Sequence, residues 1–155
     1  MARTKKYQLH YKREVQPDPI YKSRIIPMLQ QRLIRHGKKK LASRILQNSL
    51  QNIQNQTQLD PLFVLEKALR NTTPSVEIQT RRIGGAVYPL PVELGFERGM
   101  LKALQWLFKA AKKRSGPTLA VNLANEFIDA SKKAGTAFHK KEEVHKIAEA
   151  NGRVK

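Results

Sequence analysis

Two prolines, Pro89 and Pro91, constrain this chain most, because they fall inside the stretch whose pattern repeats every second residue. Val76, Ile78 and Thr80 alternate with Glu77, Gln79 and Arg81, which is strand spacing. Gly84-Gly85 follows as a hairpin turn signal, and Ala86 to Leu94 is the return strand. Alternate residues of a strand send their N–H groups to the same edge. Proline has no N–H, so the two prolines blank one edge. The element must then be a two-stranded ribbon, paired on one side only, at about residues 75–94. Such a ribbon is marginal alone, so it must lean on helices or on a ligand.

The rest of the chain has helical spacing. Asp18-Pro19 fits a turn or a helix start, with Asp18 as cap and Pro19 at the first helical position. Ile20, Ile25, Ile26, Met28, Leu29, Leu33 and Ile34 follow. Pro27 should kink that helix or begin a second one after a short turn. Gly37 should end it in a left-handed cap, with Arg35 and His36 in the last turn. A helix over about Lys39–Asn55 carries Leu41, Ala42, Ile45, Leu46, Leu50 and Ile53 as one stripe. The Gln/Asn-rich residues 51–58 suggest that it frays into a loop. Asp60-Pro61 opens the next helix, whose Leu62, Leu65, Ala68 and Leu69 face inward and whose end Asn71 can cap.

Helical period returns at Phe96, with Met100, Leu101, Leu104, Leu107, Phe108 and Ala111 on one arc. Ser115-Gly116-Pro117 breaks the chain before a helix over 117–131 with apolar rows Leu119/Leu123/Phe127 and Ala120/Ala124/Ile128. A turn around Gly135 leads to a last helix from about Thr136 to Asn151, charged on most faces, with Glu142 and Lys146 at the favourable i,i+4 spacing. The expected fold is mainly α: one domain of about six helices, with a protruding β-hairpin between the third and fourth. Residues 1–17, with five basic residues and one acid, are expected as an extended basic arm. Residues 18–151 form the helical domain, and 152–155 a short tail.

Charge decides the class of partner. Lys and Arg number 30 against 12 Asp and Glu, a formal net charge of +18 over 155 residues. No acid lies between Asp18 and Asp60, where Lys22, Arg24, Arg32, Arg35, Lys38, Lys39, Lys40 and Arg44 stand. None lies between Glu97 and Glu126, where Arg98, Lys102, Lys109, Lys112, Lys113 and Arg114 stand. A solvated helix face mixes signs. These runs ask for an external polyanion, nucleic acid rather than a membrane surface. Arg98, Lys102, Lys109 and Lys113 fall on a narrow stripe opposite the apolar arc, a candidate phosphate surface. Trp106 lies beside the stripe and can stack on a base. Lys38-Lys39-Lys40 opens a helix where the dipole disfavours cations, a cost that a bound phosphate relieves. Arg81 and Arg82 sit near the tip of the ribbon.

The sequence offers little for catalysis. Cysteine is absent, which excludes disulfides, thiol chemistry and Cys-based zinc sites. Gly84-Gly85 lacks the frame of a phosphate-binding loop. His139 and His145 are not set as HExxH, and no serine sits in a nucleophile elbow. Neither an enzyme, a metal nor a cofactor is expected. No apolar run reaches the roughly 18 residues of a membrane span. A secretory signal and a transit peptide are not expected either. A competing reading from the same residues is an architectural or regulatory DNA-binding protein, since helices plus a basic β-arm describe that design too.

Six pieces in order resemble one family, the small-subunit ribosomal protein seven family in its bacterial and plastid form. They are Asp18-Pro19-Ile20-Tyr21, His36-Gly37-Lys38-Lys39-Lys40-Leu41-Ala42, and Arg81-Arg82-Ile83-Gly84-Gly85 with Tyr88 and Pro91-Val92-Glu93. Next come Leu104-Gln105-Trp106, Lys112-Lys113-Arg114 and the run from Lys140 to Asn151. The resemblance implies a primary rRNA-binding protein that binds the 3′ major domain of small-subunit rRNA and nucleates assembly of the head. It implies a monomer within the ribosome, with small-subunit protein eleven as a neighbour. The basic arm (Arg3, Lys5, Lys6), Lys22, Arg24, Arg35, Lys38–Lys40 and the cations from Arg98 to Arg114 would meet rRNA. Arg81, Arg82, Gly84 and Gly85 would lie on a hairpin near exit-site tRNA and messenger RNA. Pro27 and Pro89 depart from the family pattern, as does the short tail after Asn151. The Lys-Lys-Glu-Glu of the last helix and the Gln/Asn-rich loop look more like a plastid form than a bacterial one, so a plastid ribosome is expected, with a bacterial cytoplasm as the alternative.

Overall fold

The computed structural model describes residues 15–152, the side chain of Ile83 excepted. The arm residues Arg3, Lys5 and Lys6 and the tail beyond 152 lie outside the described residues. Among the described residues the order is α1 (Ile25–Leu33), α2 (Lys39–Thr57), α3 (Pro61–Thr72), β1 (Val76–Ile83), β2 (Ala86–Glu93), α4 (Phe96–Lys113), α5 (Leu119–Ser131) and α6 (Thr136–Gly152). Six helices with a hairpin between the third and fourth is the architecture that the periodicity predicts.

The core is built around α5, whose Leu123, Ala124, Phe127 and Ala130 are almost wholly buried. It packs against α2, α3, α4 and α6. Leu46, Leu50 and Ile53 of α2, Leu65 and Ala68 of α3, and Leu104 and Leu107 of α4 complete the cluster. The predicted apolar stripes are the buried faces, except that Ile20, Leu41 and Leu101 stay exposed. Small residues pack closely in α4, where Ala103, Ala110 and Ala111 are also buried.

Several boundaries differ from the sequence expectation, each for a local reason. Of the turn and the helix start that Asp18-Pro19 allows, the structure has the turn. The Asp18 carboxylate accepts from the N–H groups of Ile20 and Tyr21, both at 3.1 Å, and Lys22 closes the turn with φ +50°. The helix begins only at Ile25, which puts Pro27 in the first turn, where its missing N–H had no intrahelical partner to lose. Helix α1 ends at Leu33, not at Gly37, because Ile34 is already extended. Gly37 is left-handed as expected, but it turns the loop into α2 together with His36. Helix α2 does not fray at Asn55; it continues to Thr57, and Gln58 provides the left-handed cap. In α3, Asp60 caps as predicted, its carboxylate accepting from Leu62 N–H at 3.1 Å. Asn71 does not cap its own helix: its amide donates to the carbonyls of Ala130 and Ser131, at the end of α5.

The hairpin keeps the geometry its prolines demand. Gly84 and Gly85 both have positive φ, +58° and +89°, the signature of a type I′ turn. The register pairs Thr80 with Pro89 and Ile78 with Pro91. Leu94 N–H donates to Ser75 C=O at 2.9 Å, so Ser75 and Leu94 form a hydrogen-bonded pair. Hydrogen-bonded and open pairs alternate along an antiparallel ladder. Counting outward from Ser75–Leu94, both prolines fall on open pairs, with their nitrogens toward the free edge. That edge cannot recruit another strand.

At its base the ribbon lies on α6 and on the first turn of α4. Gly99 makes the latter possible: a Cβ there would stand 2.7 Å from the Pro74 carbonyl oxygen. Ordinarily, alanine for glycine inside a helix gains about 1 kcal/mol. Here the obstacle is backbone, and overpacking costs about 1–3 kcal/mol. Gly99→Ala is therefore expected to lower the denaturant midpoint; a raised midpoint would show that the hairpin base can move aside.

Candidate nucleic-acid interface

Three helix ends bring the acid-free runs together. The end of α1, the start of α2 and the end of α4 enclose a cleft of about 270 Å³. Arg32, Arg35, His36, Lys38 and Lys112 line it, over a floor of Leu33, Ala42, Ile45 and Leu119. Arg35 and Lys38 thus meet Lys112, more than 70 residues further along the chain. Lys39 and Lys40 lie exposed on the first turn of α2, which has no acid there and no side-chain cap. The positive dipole end of the helix adds to the field of the lysines. Lys22 and Arg24 are exposed in the turn before α1.

A second hollow, a trough of about 760 Å³, runs between the second half of α4 and the start of α6. Trp106, Lys109, Lys112 and Lys113 come from α4; Thr136, His139, Lys140 and Glu143 come from α6. Lys112 lines both hollows, so the two cationic regions are continuous. Among the described residues no carboxylate pairs with Lys109, Lys112 or Lys113, and all three are exposed.

The predicted stripe along α4 is interrupted. Lys102 is ion-paired with Glu77 of β1 and fastens the ribbon to the helix. Arg98 remains exposed at the ribbon end. It stands about 16 Å along the axis from Lys109, at 1.5 Å per residue. Arg114 has carboxylate partners within the protein. Its Nε donates to Glu126 Oε2 at 2.6 Å, and its guanidinium also binds Asp129. Burial works against its charge, but the hydrogen bonds from Asp129 and Glu126 and their negative charge outweigh it and raise its pKa above the ordinary arginine value. Arg114 is the partner of a buried carboxylate, not a free cation.

On the ribbon, Arg81 and Arg82 are exposed as predicted. Being adjacent in a strand, they project from opposite faces. Arg81 stands opposite Tyr88 and Arg82 opposite Val87, and both of these neighbours are at least half exposed. Each face of the tip therefore offers one guanidinium beside one apolar side chain.

Sequence reasoning missed His139, Lys140 and Arg32 as members of the surface. Arg32 was visible in an acid-free run. The other two lie in a helix whose charges surround it, and nothing in the pattern says which face meets α4. Nor does the helix form its expected Glu142–Lys146 pair. Glu142 accepts instead from His139 at 3.3 Å, and Glu143 from Lys140 at 2.7 Å. Lys141 is turned inward: it donates to Asn71 C=O at 2.8 Å. Its pKa is lowered, first by burial and then by Lys133, with Glu142 opposing.

Such a surface suits a polyanion, and a mainly helical basic body carrying a β-ribbon defines a class of nucleic-acid-binding protein. Residues 4–152 match the model of the family described as Ribosomal protein S7p/S5e, and the chain belongs to that family. It is 48% identical over 140 residues to the Small ribosomal subunit protein uS7c of Prototheca wickerhamii, covering 90% of both chains. With the Small ribosomal subunit protein uS7 of Acaryochloris marina the identity is 49%, again over 90% of each chain. With the uS7c of Chlorella vulgaris it is 45% over the same share. The plastid and cyanobacterial forms match it about equally.

The Arg114 arrangement can be tested by removing its charge. Glu126 is 1% exposed, and leaving one member of a buried pair alone costs about 3–5 kcal/mol. Arg114 is partly open to solvent, so Arg114→Met is expected to cost on the order of 3 kcal/mol. A shift in the urea midpoint would measure it, and an unchanged midpoint would mean that water replaces the guanidinium without loss.

Proposed function

We propose that this chain is a constituent of the small ribosomal subunit that binds rRNA directly. It docks on the 3′ major domain of the small-subunit rRNA and nucleates the head. Its ribbon reaches toward messenger RNA and exit-site tRNA, and protein eleven is a neighbour. The ribosome is that of a plastid, with a bacterial cytoplasm as the other location. Membership of the ribosomal S7p/S5e family supports the role. The observation that carries the RNA reading is the continuous cationic surface joined at Lys112, assembled from the α1–α2 junction, α4 and α6, in which the lining acid Glu143 is paired with Lys140.

The mechanism is neutralisation and shape. Lysines and arginines cover phosphates and release condensed counterions. RNA helices present phosphates and 2′-hydroxyls more readily than base edges. A surface with several hollows separated by helix ends therefore fits a folded junction better than a straight duplex. Arg3, Lys5 and Lys6 would extend the contact along the arm, and Lys22, Arg24, Lys39, Lys40 and Arg98 would flank it.

Binding to an isolated 3′ major-domain junction, with duplex DNA of equal length as competitor, tests the reading. With roughly 6–10 phosphates contacted, affinity should fall by up to ~10³–10⁵ between about 50 and 200 mM salt, and by less for a compact RNA. Binding should survive the DNA. Equal displacement by DNA would replace this reading with generic polyanion binding. The ribbon is tested separately. Arg81→Ala with Arg82→Ala should leave junction affinity within about twofold, because both side chains stand beyond the helical body, while altering messenger handling in assembled subunits. Loss of head assembly would overturn the role given to the ribbon.

A further inference from the structure

We infer that the trough between α4 and α6 is a subsite for an unstacked nucleotide, its base lying against Trp106 and its phosphates on Lys109 and Lys113. The inference rests on the rRNA-binding reading and adds to it the form of RNA that this part of the surface takes. Three observations carry it. The trough, at about 760 Å³, falls within the roughly 300–1,000 Å³ of ligand clefts. A furrow meant only for a phosphate backbone has no need of such a volume lined mainly by apolar surface. Its inner surface is mainly apolar, with Trp106, Ala110 and Ala137 among the lining residues, while the cations stand around it. An apolar slot with a cationic rim matches the division within a nucleotide, an aromatic plane joined to an anion.

Trp106 is suited to the role by its support. It is half-buried and packs against the core cluster. It also lines a small cavity on its other side, under the base of the ribbon, beside Ile78 and Val144. The ring is held by the fold and still reaches the trough. A stacking platform of this kind accepts any base, since every base has a π-face. Charge complementarity excludes an acid-poor apolar segment as the natural occupant. Lys109, Lys112 and Lys113 carry no carboxylate partner among the described residues, and the trough's Glu143 is already paired with Lys140. A base held in a duplex cannot reach the ring, so the trough should discriminate single-stranded from paired RNA.

The chain has a single tryptophan, so its emission reports this site alone. The full-length protein is titrated with a short oligouridylate and with an RNA duplex of equal length, while binding to the 3′ major-domain junction is followed in parallel by gel shift. The oligouridylate should quench Trp106 saturably and the duplex should not. Lys109→Gln with Lys113→Gln, both at exposed positions, should weaken the quenching titration several-fold. Trp106→Leu keeps an apolar side chain and loses the stacking plane. It should lower oligouridylate affinity, read by gel shift because this variant has no tryptophan, about tenfold, with Trp106→Phe between it and the native protein and a cooperative melt showing that each variant is folded. Oligouridylate binding without quenching, or binding unchanged in Trp106→Leu, would overturn the subsite. If junction binding persists in that case, the subsite alone fails; if the junction is not bound either, the rRNA reading fails with it. Emission that responds only to a neighbouring ribosomal protein would assign the trough to a protein contact and overturn the inference.

Discussion

The fold depends on a buried carboxylate. Glu126 sits in the middle of α5 and is almost fully buried, where an unpaired charge would be costly. It is fully engaged. Arg114, just past α4, donates to it at 2.6 Å, and the first turn of α6 offers Ala137 N–H at 3.0 Å and the Thr136 hydroxyl at 3.4 Å. One carboxylate thereby joins the end of α4, the body of α5 and the start of α6, and its charge lies where the α6 dipole is positive. Three further bonds close a circuit. Lys141 of α6 donates to the Asn71 carbonyl at the end of α3, and the Asn71 amide donates to the carbonyls of Ala130 and Ser131 at the end of α5. Helix ends leave backbone groups unsatisfied. At the end of α3, the end of α5 and the start of α6 some of them are satisfied by neighbouring helices, so there capping and tertiary packing are the same contacts.

That circuit explains where the excess positive charge goes. Several acids are drawn into it or into the ribbon and α6: Glu126 and Asp129 to Arg114, Glu77 to Lys102, Glu142 and Glu143 within their own helix. Among the described residues, the cations without a carboxylate partner include Lys38, Lys39, Lys109, Lys112 and Lys113. They gather around Lys112 because α4 delivers its last turn to the junction of α1 and α2. Self-repulsion there is unfavourable for the isolated protein. The internal pairs and the apolar core hold the arrangement until an external anion offsets it.

The order of elements was legible because the pattern changes period sharply, from helical to alternating at Thr73-Pro74 and back at Phe96. The ribbon could be read almost completely, since two glycines fix the turn and two prolines fix the free edge. Helix ends were less legible. Gly37 has the left-handed backbone expected of it, yet Ile34 ends the helix first; a glycine marks a conformation, not the element it serves. The Gln/Asn-rich end of α2 reads as loop by propensity, but Ile53 is buried and holds the last turns in helix. The site was legible in composition and not in pairing. A run of cations shows that an anion is wanted, but it cannot show that Lys102 and Arg114 meet carboxylates distant in sequence. Equally, α6 has charge on most faces, so its contribution to the trough depends on a docking angle set by Glu126 and Lys141.

The ribbon and the trough are mechanically one unit. The ribbon's base is clamped by Lys102–Glu77, by the close approach of Gly99 to Pro74, and by Ser75 N–H donating to His145 Nε2 at 3.4 Å. The first two contacts come from α4 and the third from α6, the same helices that wall the trough. Trp106 lies between, lining the trough and the small cavity beneath the ribbon. With only two strands, and the outer edge of β2 blanked, the ribbon takes its direction from its seat on α4 and α6. Any ligand that changes the spacing of those two helices must then re-aim a tip that stands several residues beyond the last half-buried pair. The arginines on its two faces are the part of the molecule that such a change would move farthest.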